Sequence, residues 1–476
     1  MTDSDLAFAT IGELASRIRS GGLSPVQLTE SLLARTEHLN PRLHALRLVE
    51  TERALAQARA AELSLRGGRD LGPLHGIPYA VKDLFDVSGL STGAGTRLLE
   101  GNVAQRDSTV VRKLSQAGMV LLGKTHTVQF AFGGVGINHD QGTPHNPWHR
   151  EAHVPGGSSS GSAVAVAAGM VCAALGTDTG GSVRIPAALC GVVGLKTTVG
   201  RVSRAGVFPL SWTQDSVGPL ARCVADAALI YQAIQGADPD DDSTLGLPAN
   251  DALRDLRRGV RGLRVAFGET VFFDDVDSEV EGLVRAAGEV FRSLGAQVSH
   301  TEIPEAKEAV ASQKRALMVA AEGCVVNGDL LDAQFDRLDP IVSHRLAAGR
   351  GLSAPDYVTL LREWSSLRRR VVETLRDIDA VIVPTTMLPA RPVKTVDAGM
   401  DVYAEYNARY LRNTAIGNIL NLTGVSLPCG FDSQALPVGL MVYAKPFQEE
   451  MALRVAFAYE QASEWHRRRP DLSWAT

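Results

Sequence analysis

Short apolar runs punctuate this chain and constrain its fold more than any other feature. They are IPYAVKDLF (77–85), MVLLGKT (119–125), VCAALGTD (171–178), LRVAFG (263–268), AVIVPTT (380–386) and VGLMVYA (438–444). A strand with one face in water alternates apolar and polar residues, and several of these runs do not. Such runs describe strands covered on both sides. Helical patterns lie between them. In the stretch 10–66, Ile11, Leu14, Ala15 and Ile18 share one face, Ser24-Pro25 reads as a cap and first helical position, and Leu28, Leu32 and Leu33 continue the stripe. The expected fold is α/β, a single large mixed, twisted sheet flanked by helices. Residues 1–70 would form an N-terminal helical layer and 270–375 a helical cap or insertion.

A chain of 476 residues can bury a large core without disulfides or a structural metal. With a net charge of −5 and a pI near 6.1 it has no overall basic field to gather nucleic acid or anionic membrane. The arginine runs at 366–370 and 467–469 read as solvated helix faces, and the acidic stretch 237–251 lacks the ligand spacing of a calcium loop and reads as a solvated loop. Five scattered cysteines without C-x-x-C spacing read as reduced, buried thiols. The first residues show no apolar signal core, and Ala163–Leu175 is too short to cross a bilayer. A cytoplasmic protein, monomer or homodimer, is expected, without nucleic-acid or membrane partners.

Two glycine-serine clusters carry the candidate chemistry. The first, GGSSSGSAVAVAAG (156–169), contains a G-x-S-x-G string, but the text before it holds Pro and His instead of the strand that a nucleophile elbow needs. It also fails as a phosphate cradle, because Ser162 stands where lysine must be. The segment after the glycines and serines is small and apolar on every side, so the loop enters a buried helix, and from this stretch alone capping explains its serines ahead of chemistry. The second cluster, GTDTGGSVRIPAALCG (176–191), follows an apolar run and presents Ser182 after Gly180-Gly181. Consecutive amides in such a turn can converge on a developing oxyanion, while a tight turn with a capping serine accounts for the same spacing. The base a serine would need has two sources. His139, His145, His149 and His153 lie in one loop, match no zinc spacing and read as solvent-exposed; Lys82 sits inside an apolar run, where burial favours the free amine.

Taken together, HGIPYAVKDLFDVSG (75–89), NPWHREAHVPGGSSSGSAVAVAAG (146–169), LGTDTGGSVRIPAALCGVVGLK (175–196) and GRVSRAGVFPLSWTQDSVGPLAR (200–222) resemble the amidase signature family. The resemblance is strong over 72–236 as a core, with a weaker echo over 380–470 in NLTGVSLPCGF, LPVGLMV and WHRRRPDL. It implies one amidase domain over 1–476 and a Ser-cisSer-Lys set that needs no cofactor or metal. On this sequence Ser182 matches the nucleophile, Ser158 the bridging serine after a cis peptide, and Lys82 the base. The amides of Thr179, Gly180, Gly181 and Ser182 match the oxyanion hole. Ala131, Phe132 and Gly133 match the acyl side of the substrate pocket. Asp178 and Arg184 are expected to pair structurally, and Ser159 and Ser160 to support by hydrogen bonding. Ser160 and Thr197 depart from the family's usual glycine and proline and leave the three catalytic positions untouched. The implied activity is hydrolysis of a small carboxamide, aryl amide, carbamate or urethane through an acyl-enzyme. Alternatives are the glutamine-dependent amidase subunit of a tRNA amidotransferase and a hydrolase of allophanate or biuret type.

Overall fold

The computed structural model describes residues 3–311 and 315–475. Eleven strands form one mixed sheet: β1 (Leu46–Val49), β2 (Pro78–Lys82), β3 (Val120–Thr125), β4 (Ala173–Asp178), β5 (Val193–Lys196), β6 (Ser216–Ala221), β7 (Arg264–Gly268), β8 (Gln297–Thr301), β9 (Ala380–Pro384), β10 (Thr423–Phe431) and β11 (Pro437–Ala444). Their spatial order is β1-β3-β2-β4-β6-β5-β10-β11-β9-β7-β8. β3, β2 and β4 run parallel, β9, β7 and β8 run parallel, and the strands between these groups pair antiparallel. Every residue of β2, β3, β4, β5, β6, β9 and β11 is buried, which is why those segments carry no alternation.

The N-terminal helices form where the sequence signals them. Thr10 and Glu13 close a capping box on helix Ile11–Arg19, and Ser24 with Gln27 closes another on helix Pro25–Leu43, with Pro25 in its first turn. β1 interrupts this helical layer and pairs with β3 at the sheet edge. The stretch 270–375 likewise contributes β8 to the far edge besides its helices. Helix Ser160–Ala167 is buried at all its positions and packs on β4, β2 and β3. Its small side chains are a steric requirement. A Cβ at Gly161 would stand 2.2 Å from the Ala45 carbonyl oxygen and 2.6 Å from the His126 nitrogen.

This topology fixes where chemistry can occur. β2 and β4 are parallel neighbours, Val81 opposite Leu175, so Lys82 at the end of β2 and Thr177-Asp178 at the end of β4 leave the sheet on the same side. Carboxyl ends of parallel strands are where loops can gather around a ligand.

Candidate active site

Lys82 is fully buried, and its Nζ donates to Ser158 Oγ and to Thr177 Oγ1, 2.8 Å in each case. Burial drives its pKa down to about 7, against the opposing pull of Asp215 and Asp178. Ser158 follows a cis Gly157–Ser158 peptide, and its carbonyl accepts from Val128 N at 3.2 Å and from Thr127 Oγ1 at 3.0 Å. Ser159 links the two serine turns: its N–H donates to the Ser182 carbonyl at 3.2 Å, and its Oγ donates to the Thr177 carbonyl at 3.3 Å. Ser160 differs from the expected support role, for its hydroxyl is buried without a partner among the described residues.

The turn bearing Ser182 is held from several directions. Gly181 has φ of +138°, and a Cβ there would stand 2.1 Å from Thr414 Oγ1, so this position admits only glycine. Thr414 Oγ1 donates to the Gly180 carbonyl at 2.7 Å, and Thr179 Oγ1 donates to Asp215 at 2.5 Å. Behind the turn Asp178 and Arg184 form a two-pronged ion pair at 2.9 and 3.0 Å, both side chains fully buried. Arg184 also donates to Tyr443 Oη at 2.7 Å, Asn418 Oδ1 at 2.6 Å and the Thr414 carbonyl at 3.0 Å. Burial would raise the Asp178 carboxyl, but Arg184, Lys196 and Asn418 override it and hold it at about 2. Arg184→Leu would strand that carboxylate without its counter-charge. The expected cost is about 3–5 kcal/mol, read as a drop in unfolding midpoint, with activity lost in the same sample.

Ser182, Thr179 and Gly180 open on a cavity of about 190 Å3 whose wall includes Ala131, Phe132 and Gly133. Gly181 is not in that wall; its backbone is pressed against Thr414 instead. Further lining comes from far along the chain: Val319, Arg345, Trp364, Asn407, Ala408 and Leu411. Arg345 is half-buried, donates to the Phe132 carbonyl at 2.7 Å and stacks over the Phe132 ring at 4.0 Å. Asn407 Oδ1 accepts from Gly134 N at 2.8 Å and thereby positions the loop that carries Phe132. No lining residue is a carboxylate among the described residues. Sequence reasoning missed Thr177, Asp215, Thr414, Arg345 and Trp364. Of these, Thr177 and Asp215 lie in the quoted segments 175–196 and 200–222, and the other three lie in no quoted motif.

Of the loop histidines, His139 has the expected exposure, whereas His145 and His149 are half-buried. His153 is buried, and His139 is clamped between Asp339 at 2.7 Å and Asp397 at 3.0 Å, contacts that raise its pKa to about 9. His149, Glu151 and His153 place ligand atoms within 4.8 Å of one another, with Lys394 Nζ at 2.6 Å from Glu151 holding its charge. In the acidic stretch Asp238 is buried and accepts from Ser203 Oγ at 2.5 Å, so that loop is partly packed where solvation was expected. All five cysteines are buried free thiols, and no described helix is long and apolar enough to cross a membrane.

The Amidase family model matches residues 27–453. The chain is 39% identical to an amidase of Pseudomonas putida, over 98% of this chain and 99% of that one. It is 38% identical to a glutamyl-tRNA(Gln) amidotransferase subunit of Chloroflexus aggregans, over 99% and 100%. The solved peptide amidase of Stenotrophomonas maltophilia superposes with a TM-score of 0.84 at 31% identity, over 98% of this chain and 99% of that one.

Proposed function

Because this chain belongs to the amidase family and hydrolyses amide C–N bonds, we propose that Ser182 is its acylated nucleophile, Ser158 its proton bridge and Lys82 its base. One observation carries the reading: a fully buried lysine with a pKa near 7, at hydrogen-bond distance from Ser158 on the turn that Ser159 ties to Ser182. As a free amine, Lys82 accepts the Ser158 proton while Ser158 accepts the proton of Ser182, whose Oγ bonds to the amide carbon. The oxyanion is received by backbone N–H groups of the 179–182 turn. The proton on Lys82 then returns through Ser158 to the departing nitrogen, the C–N bond breaks, and water cleaves the acyl-serine by the same relay.

That titration sets the sign of the pH dependence. Below a pKa of about 7 the amine is protonated and cannot accept. So kcat/KM should fall about tenfold per pH unit on the acid side and level off above it. A rate that climbs toward pH 5 would remove Lys82 from the role of base.

The cavity argues for a small, largely apolar acyl group. Its volume of about 190 Å3 is slightly larger than the roughly 150 Å3 that accommodates benzene. Glutamine would bring an α-ammonium into a wall without a carboxylate, leaving a charge unpaired. With the purified single chain, benzamide or a short aliphatic amide should exceed glutamine in kcat/KM by at least about 100-fold. Equal or better use of glutamine would transfer the assignment to the amidotransferase reading. We further propose that the chain acts in the cytoplasm as a monomer or homodimer on small amides, without nucleic acid.

A further inference from the structure

The arginine run 467–469 lies on a second, separate concavity. Arg467, Arg468 and Arg469 follow helix Glu449–Ser463 and, with Arg222 and Arg257, wall a cleft of about 720 Å3 beside helix Val224–Ile234. The cleft shares no lining residue with the Ser182 cavity; Gly191, at the far end of helix Arg184–Cys190 from Ser182, belongs to its wall.

Arg222 is only 8% exposed, and its Nη2 donates to the Ala9 carbonyl, while Nε and Nη1 have no partner among the described residues. On the same wall His466 Nδ1 is buried and equally unpartnered. Buried polar atoms that lost water on folding and gained no partner mark a place where another molecule completes the bonding. The nearby acids do not supply it. Asp226 accepts from Ile11 N at 3.0 and 3.1 Å, Glu13 from Thr10 N at 2.8 Å and Glu460 from Val224 N at 2.8 Å. Burial pushes Glu460 up to about 8, so it carries little charge at neutrality. Arg467 and Arg469 have exposed partners, Glu464 at 2.9 Å and Asp5 at 3.7 Å, which a stronger acceptor can displace. Positive charge is therefore in surplus. Arg35, Arg222 and Arg469 crowd one aromatic ring, Phe8, at 5.0, 5.9 and 4.8 Å.

We propose that this cleft binds a phosphate group, with Arg222 as the buried anchor and Arg467 and Arg468 at the rim. Several guanidiniums around one buried donor suit a doubly charged oxyanion better than a carboxylate. The volume, within the range of sites for whole small molecules, leaves room for either free phosphate or a phosphorylated metabolite.

The test is calorimetric titration of the full chain in chloride buffer with inorganic phosphate and, separately, with AMP. Saturable binding of either, weakened at least about tenfold by Arg222→Met while amide turnover is retained, is the expected result. Tighter AMP would identify a phosphorylated small molecule as the ligand, and equal or tighter inorganic phosphate the free ion. Arg222→Met also removes the donor to Ala9 and risks the fold, so the double variant Arg467→Ala/Arg468→Ala, on exposed side chains, is measured beside it. No saturable binding of either probe at millimolar concentration, or affinity unchanged in the double variant, would overturn the proposal.

Discussion

Ser182→Ala is expected to lose at least about four orders of magnitude in amide turnover and to gain no mass from a fluorophosphonate that labels the parent enzyme once. Ser182 follows a glycine pair of which Gly181 has no room for a side chain, and the turn is secured by Thr414 and, behind it, by the Asp178–Arg184 pair. Removing one oxygen leaves these supports in place, so the variant should unfold at the same temperature as its parent. The other hydroxyls near the cavity do not substitute. Thr179 Oγ1 is spent on Asp215, and Ser159 Oγ on the Thr177 carbonyl. Turnover persisting in Ser182→Ala would mean that the nucleophile lies elsewhere.

Replacement of Lys82 by methionine should cost about 10²–10⁴-fold in kcat/KM and abolish the acid limb near pH 7. Methionine keeps most of the stem's volume in a site with no solvent, but Ser158 then has no acceptor within the relay. The pH profile separates a chemical role from a structural one. A variant that is merely misfolded loses activity at every pH, whereas loss of the base leaves a residual rate that no longer follows titration of an amine. Lys82→Arg should not rescue, since a guanidinium stays protonated throughout the range. A profile in Lys82→Met that still bends near 7 would assign that titration to another group.

The sheet was legible where strands are apolar and covered on both faces, as in β3 and β9. It was not legible where the chain violates strand statistics. β6 carries Pro219 and β10 carries Pro428, residues that argue against a central strand, and β10 accommodates its own with a bulge before Gly430. β8 is polar and half exposed at the sheet edge, and β1 and β5 have four residues each. The three reactive positions could be named because they sit in quoted motifs that resemble a known family. Their neighbours could not. Thr414, Tyr443, Arg345 and Trp364 come from segments more than 150 residues away from Ser182 in the chain, and no local pattern marks a side chain whose only purpose is to meet another loop.

The all-buried helix that begins at Ser160 has a consequence for how this enzyme can change. It follows closely on Ser158, and at Gly161 a single added carbon collides with the Ala45 and His126 backbone, so heritable variation there is blocked. The cavity lining that includes Val319, Ala408 and Leu411, on two other helices, meets substrate with ordinary side chains. Selectivity and reactivity are thus inherited on different parts of the chain, and a directed library confined to those lining residues can diversify substrates while the proton route stays fixed.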